Sequence, residues 1–254
     1  GFAGGEKMIQ DGMFDDFKID EVYALHNWPE LPLGTFGVNS GPMMAAVDEF
    51  DITVKGKGGH AASPHLAIDP VVISAQVISA VQTIISRSTD PVDKALISIT
   101  KINAGTAYNV IDDQVKMGGT IRTFRRETRA YIEKRLNELC KGIADAHGAE
   151  IKIEFDLVNK YPPTINSKEE TKFAANVAKD LVGDDKVITD IDPSMGGEDF
   201  SYLLEKKPGS YLYLGQGDAE HSAHLHTTKY DFNDNLLPIG VNFWVDLVQK
   251  YFSK

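Results

Sequence analysis

Six stretches between Val47 and Phe155 impose one order on the middle of the chain. "VDEFDITVKG" alternates Phe50, Ile52 and Val54 on one face, the period-two pattern of a half-buried strand. From Asp69 to Ser88, Ile73, Val77, Val81, Ile84 and Ile85 recur at helical spacing. "KALISITKI" reads as a strand, and "QVKMGGTIRTF" as another, with Val115, Met117 and Ile121 on one face and Arg122 on the other. Arg126 to His147 reads as a long amphipathic helix: Ile132, Leu136, Leu139, Cys140 and Ile143 share a stripe, and Gly148 stands where a C-cap glycine belongs. "AEIKIEFDLV" closes the series by alternating Ile151, Ile153, Phe155 and Leu157. The order β-α-β-β-α-β is the ferredoxin-like, split βαβ arrangement, whose sheet carries both helices on one face. The other face is expected to need a cover, for which a partner subunit is one candidate.

The flanks follow an α/β rhythm. "GFAGGEKMIQDGMF" reads as a glycine-rich turn entering a short helix, and "EVYALHNWP" as a buried strand whose tip carries His26. "LGTFGVNSG" reads as a further strand. After the Pro-rich "NKYPPTINS" comes a helix, "EETKFAANVAKDLVG", ending at Gly183, and then a short buried strand, "SYLYLG". "NLLPIGVNFWVDLVQKYF" reads as a closing helix with Val241, Trp244, Val245, Val248 and Phe252 inward. The expected plan is an α/β domain built from residues 1–42 and 161–254, its first strands not among these residues, with residues 43–160 inserted as the ferredoxin-like domain.

Composition excludes some functions. A formal net charge of −11 argues against a nucleic-acid partner, which requires a basic surface to displace counterions. No run approaches 18 consecutive apolar residues, so no membrane span is expected. Cys140 is the single cysteine and has no intrachain disulfide partner. With no signal-peptide pattern at the start, a cytoplasmic location is the expectation.

Three of the seven histidines crowd into "HSAHLHTTKYDFND", as His221, His224 and His226. Neutral imidazole is the commonest nitrogen ligand for zinc and similar metals. Open α/β sheets place their ligands past the carboxyl ends of strands, where His26 is expected. Taken singly, each signal has a plain alternative: His26 packed or facing water, the histidine loop facing water, and Asn233 or Asp234 merely capping the last helix.

"ALHNWPELPLGTF", "VKGKGGHAASPH", "DPVVISAQVISAVQTIISR", "NAGTAYNVIDD", "GGTIRTF", "SMGGEDFSYLL" and "LHTTKYDFND" occur in that order from end to end of the chain. Together they resemble the aminoacylase–hippurate hydrolase family of two-metal amidohydrolases and peptidases, in the branch of N-acyl-amino-acid amidohydrolases and auxin-conjugate hydrolases. The resemblance implies an α/β metallohydrolase domain with an inserted ferredoxin-like dimerisation domain, so that the chain forms a homodimer through residues 43–160. It implies two divalent ions (Zn, Mn, Ni or Co), His26 being a ligand of one and His226 of the other. His221 and His224 match no ligand position, and Thr228 stands where the family often has proline. The resemblance further implies that His60 is the catalytic histidine, donating to the developing oxyanion and reaching the site of the partner subunit. Asn109 would hold the substrate, Arg122 would bind the free carboxylate of an N-acyl amino acid, and Gly196 and Gly197 would line the pocket; Glu198 and Asp199 are not assigned to the metals. The family's Cys- and His-containing metal motif, and the Glu-Glu pair that gives the base and a further ligand, would lie ahead of "GFAGGEKMIQDG". The 254 residues alone are therefore expected to be inactive. The implied reaction is hydrolysis of the amide of N-acyl amino acids or small peptides. The alternative is a non-catalytic fragment or pseudo-enzyme that serves as a dimerisation or small-ligand module.

Overall fold

The computed structural model describes residues 4–156 and 160–253; Leu157, expected to extend an alternating strand, lies outside them. The chain divides into two compact units. One comprises Ala45–Pro163 with Met195–Gly197, the other Gly4–Met44, Thr164–Ser194 and Glu198–Lys254.

Chain order begins in the second of these units with helices α1 (Gly4–Gln10) and α2 (Met13–Asp16), then strands β1 (Val22–Pro32), β2 (Phe36–Gly37) and β3 (Gly41–Met44). Strand β1 does not stop at His26 as expected. It runs on to Pro32, which puts His26 mid-strand. The expected terminator, Pro29, has no N–H to give a ladder. It falls in a register irregularity between Trp28 and Pro32, and so it interrupts pairing without ending the strand.

The first unit then supplies β4 (Ala46–Lys55), β5 (Gly59–His60), α3 (Pro70–Thr83), β6 (Ala95–Asn103), β7 (Val110–Ile111), β8 (Gln114–Thr123), α4 (Arg126–His147) and β9 (Glu150–Phe155). Its main sheet has the order β6-β8-β4-β9 with every pair antiparallel, the strand order of a split βαβ unit. Asp69 caps α3, its side chain accepting the N–H groups of Val71 and Val72, with Pro70 in the first turn. A π-helical turn at Ile84–Ser88 prolongs α3. By length and composition, Pro70–Ser88 is apolar enough to cross a membrane. Its buried Ile73, Val77, Val81 and Ile84, however, pack with Phe50, Ile52 and Val54 of β4 and Val115, Met117 and Ile121 of β8, as a core helix does. Ile132, Leu136 and Cys140 of α4 complete that core. Gly148 ends α4 at φ 64, the left-handed conformation that favours glycine.

The opposite sheet face, for which a cover was expected, is polar where it is exposed. Alternation sends Glu49, Asp51, Lys116, Lys152 and Glu154 outward, all exposed. One inward-pointing charge, Asp48 on β4, is buried and held by Arg129 of α4 in a two-pronged contact: Nε to Oδ2 at 2.6 Å and Nη2 to Oδ1 at 2.5 Å.

The chain returns to the second unit through β10 (Thr164–Asn166), α5 (Lys168–Val182), β11 (Val187–Ile188), α6 (Ser201–Leu204), β12 (Gly209–Gly217) and α7 (Leu236–Tyr251). Its sheet has the order β1-β12-β2-β11, with β1 parallel to β12, while β10 pairs with β3 separately. Strand β12 sends Leu212 and Leu214 to the core under α5 and α7, and Tyr211 and Tyr213 to the other face. The inward face of α7 differs from expectation. Val241, Val245, Val248 and Phe252 are exposed, whereas Leu236, Phe243 and Leu247 are buried and Trp244 packs beside them. The helix is apolar nearly all round, so its sequence holds two stripes at helical spacing. The stripe that packs is the one whose Phe243 ring meets Phe36, 5.1 Å between centroids.

Candidate functional site

In β1, Tyr23 and Leu25 face the α5–α7 core, and Ala24, His26 and Trp28 face the side of Tyr211 and Tyr213. The His26 ring lies 6.2 Å from Tyr211 and 6.3 Å from Trp28, and Trp28 stacks on Tyr213 at 3.9 Å. His26 Nδ1 sits 2.7 Å from the carbonyl oxygen of Asn27. A carbonyl can only accept, so Nδ1 carries the hydrogen and a neutral ring has its lone pair on Nε2. This is the tautomer a metal-ligating histidine has when its second nitrogen is fixed by a backbone carbonyl.

His226 lies in the loop 218–235 between β12 and α7. It is exposed, with φ 60 in the left-handed region, and its ring has no hydrogen-bond partner among the described residues. Its neighbours are occupied. His221 Nδ1 contacts Asp218 Oδ1 at 2.8 Å, and His224 Nδ1 contacts Glu30 Oε1 at 2.7 Å. His26 and His226 thus each offer an unengaged imidazole nitrogen, the donor type zinc and similar ions take. Among the described residues no group of three or more His, Cys, Asp or Glu side chains forms a complete metal cage. The donors fit the chemistry, but these residues alone do not close a coordination shell.

The other candidates belong to the first unit. A two-stranded ribbon pairs β5 with β7, setting His60 opposite Val110, and the Ala61 N–H donates to the Asn109 carbonyl at 3.0 Å. His60 and Asn109, far apart in sequence, are therefore neighbours. His60 Nδ1 accepts the Ala62 N–H at 3.1 Å, which leaves the hydrogen of a neutral ring on Nε2, facing outward as a donor. Arg122 stands on β8 opposite Val47 and Leu96, half-buried. Burial pulls its guanidinium pKa down, and Glu49 and Asp48 act against that. No carboxylate lies within ion-pair distance of it among the described residues, and a guanidinium stays charged in any such setting.

Gly196 gives its carbonyl to the Ala45 N–H at 2.9 Å. Gly197 has a packing reason to be glycine: a Cβ there would stand 2.1 Å from Val47 Cγ2. The same loop contains two fixings that the sequence did not single out. The Tyr211 hydroxyl donates to Glu198 Oε2 at 2.8 Å, and Asp199 Oδ2 accepts the Gly5 N–H at 2.8 Å. Burial, reinforced by the Glu198 charge, pushes the Tyr211 phenol far above its ordinary range, so it remains a donor. The signal for this pair was "SYLYLG", whose alternation sends two tyrosines to the His26 face.

Comparison with known proteins agrees with this architecture. The chain is 38% identical over 253 residues to the hippurate hydrolase of Campylobacter jejuni, a match that covers all of this chain and 65% of that protein. It is 40% identical over 241 residues to the N-acetyldiaminopimelate deacetylase of Lactobacillus helveticus, covering 94% and 62%. Among solved structures, the Bacillus subtilis YXEP protein, described as a dinuclear metal-binding peptidase from the M20 family, superposes with a TM-score of 0.78 at 30% identity over 97% of this chain and 61% of that one. The chain thus spans slightly under two-thirds of the length of these relatives. The family described as Peptidase family M20/M25/M40 matches residues 1–250, and the chain belongs to that family.

Proposed function

We propose that the protein carrying this chain is a metal-dependent hydrolase that cleaves the amide bond of N-acyl amino acids, or of small peptides, to a carboxylic acid and an amino acid. Relatives named as a hippurate hydrolase and as a deacetylase of an N-acetylated amino acid support that substrate class. The observation that carries the reading is the β5–β7 ribbon, in which His60 stands beside Asn109 with its Nε2 hydrogen outward.

In this reading His26 and His226 would hold one divalent ion each, Zn, Mn, Ni or Co, and the ions would supply Lewis-acid polarisation of the amide. His60 donates its Nε2 hydrogen to the carbonyl oxygen as that oxygen gains charge, the stage at which a positioned donor matters most. Arg122, half-buried and without an ion-pair partner among the described residues, grips the free carboxylate of the amino-acid end in its planar fork. Asn109 orients the same end, and Gly196 and Gly197 line the pocket. A homodimer through residues 43–160, a ferredoxin-like lid inserted into the metal-binding domain of 1–42 and 161–254, and a cytoplasmic location belong to the same proposal.

The test uses the protein expressed from its complete reading frame, loaded with each of the four metals and supplied with hippurate, N-acetylcysteine and N-acetyldiaminopimelate. Release of free amine from at least one of them is expected. His60→Ala should lower kcat about 10²–10³-fold, the usual loss of one oxyanion donor, with metal content unchanged. Arg122→Ala should act mainly on KM. A metal-loaded protein that releases no amine from any of the three, or a His60→Ala variant as active as wild type, would overturn the reading.

A further inference from the structure

The loop 218–235 is moored more firmly than its exposure suggests, and both moorings around His226 run to one strand. On one side, His224 Nδ1 meets Glu30 Oε1 of β1 at 2.7 Å. On the other, the Tyr230 hydroxyl accepts from Asn27 Nδ2 of β1 at 2.7 Å and donates to Gln216 Oε1 of β12 at 3.2 Å, while Asn27 Nδ2 also reaches Gln216 Oε1 at 2.9 Å. Between these anchors, Thr227 Oγ1 donates to the His224 carbonyl at 2.9 Å and the Tyr230 N–H to the Thr227 carbonyl. The loop ends are joined as well. Asp218 Oδ2 accepts from Asn233 Nδ2 at 2.8 Å, and the same buried amide donates to the Gln216 carbonyl at 3.0 Å.

We propose that Glu30 and Asn27 of β1, acting through His224 and Tyr230, are positioning residues that hold His226 in its left-handed conformation alongside the strand that carries His26. The inference rests on the reading of His226 as a metal ligand and deepens it. The two anchor residues lie one and four positions after His26 in β1, so the strand that orients one imidazole also tethers the loop bearing the other. A single exposed His–Glu contact holds little by itself. Here it acts with an amide–phenol triangle on a segment of seven residues, 224–230, and His226 is the one non-glycine residue at positive φ among the described residues. A conformation of that kind persists only where its surroundings over-determine it. The chemistry of the His224–Glu30 contact also fits an orienting role. The carboxylate fixes the His224 ring, and through it the loop two residues before His226; loss of such outer contacts weakens metal binding.

The test is cobalt binding by the complete protein, read as affinity in a competition titration and as the visible Co²⁺ absorption band. Glu30→Ala and Tyr230→Phe should each weaken Co²⁺ binding 10–100-fold and alter the band, while the far-UV circular dichroism spectrum is unchanged. Glu30→Gln, whose amide oxygen accepts the same hydrogen bond, should restore most of the affinity. His226→Ala separates the two ideas. If it abolishes binding of one ion while Glu30→Ala and Tyr230→Phe bind Co²⁺ like wild type, the positioning role is overturned and the ligand reading stands. If His226→Ala itself binds Co²⁺ like wild type, the ligand reading fails and the positioning role fails with it.

Discussion

Gly197 has two competing explanations, and a four-protein cycle separates them. A Cβ at this position would stand 2.1 Å from Val47 Cγ2 and 3.4 Å from Tyr161 Cδ2. Carbon atoms rest at about 3.5–4.0 Å, so roughly 1.4 Å of relief must be found. Val47 has little to give. It is 5% exposed, its χ1 is stiff because it is β-branched, and its backbone exchanges two 3.0 Å hydrogen bonds with Tyr161 while pairing with Arg122 across the ladder. Overpacking a core site costs about 1–3 kcal/mol, and this rigidity puts Gly197→Ala near the upper end, ~2–3 kcal/mol. Val47→Ala removes two buried methyl groups, ~1.6 kcal/mol at ~0.8 kcal/mol each. Were the sites independent, the double variant would lose about 4 kcal/mol. Because the new methyl would occupy the space the valine vacates, we expect a loss of ~2 kcal/mol and a coupling energy of the same size. Urea denaturation of wild type, both single variants and the double variant measures it. Additivity within ~0.5 kcal/mol would refute the packing account. A Gly197→Ala protein of unchanged stability but raised KM would show that the glycine serves substrate approach instead.

Other perturbations probe the remaining claims. Asp48→Asn leaves the Arg129 guanidinium, 15% exposed, without its carboxylate; a loss of about 3–5 kcal/mol is expected, and a loss under ~1 kcal/mol in chemical denaturation would contradict it. On α7, Phe243→Ala should cost about 3–5 kcal/mol, while Val245→Ser, on the exposed stripe, should stay within ~0.5 kcal/mol; reversal of that order in thermal melts would restore the opposite inward face. The His221 hydrogen bond, with two backbone N–H groups, holds the Asp218 carboxyl down at about 2, and the same contact raises the His221 imidazole. The carboxylate's contribution is present above its ordinary range and lost as pH falls toward 2, and the imidazole's is present below ~6.5 and lost as pH rises through its raised value. Hydrogen exchange at the Glu220 and His221 amides, corrected for intrinsic rate, should therefore be slowest between about pH 4 and 6.5, and a flat profile would disprove the link.

Periodicity made much of the first unit legible where an element presents a single apolar face, as β4, β9 and α4 do. The α4 stripe of Ile132, Leu136 and Cys140 has charged neighbours on every other side, and Gly148 supplies the stop, so the helix runs Arg126–His147 as the pattern required. The same reasoning failed at α7, where Leu237, Val241 and Val245 are as apolar as Leu236, Phe243 and Leu247, and only the presence of Phe36 and Leu214 across the interface selects between them. Strand β1 escaped for a different reason. Proline ends a strand only if its missing N–H was due to pair, and the register irregularity at Trp28–Pro32 removes that requirement.

The histidine loop shows what residue type and spacing leave undetermined about a site. His221, His224 and His226 are equivalent as letters, and only the resemblance of "LHTTKYDFND" to the family motif singles out His226. The structure separates them by their partners. His221 spends its Nδ1 on Asp218, three residues away, which is a local turn contact a sequence reader could have drawn. His224 spends its Nδ1 on Glu30, 194 residues upstream, a contact that exists only because β1 and β12 run parallel and side by side. His226 spends neither nitrogen on a described residue and sits at φ 60, a conformation that costs a β-carbon-bearing residue about 1–2 kcal/mol. The ring is exposed, so water can satisfy it; the positive φ is what the surroundings of the loop must sustain. His221 and His224 each engage Nδ1 within the fold, whereas neither nitrogen of His226 meets a described residue; that difference, with the Nδ1 contact of His26 to the Asn27 carbonyl, supports the proposal that these two rings are the metal ligands.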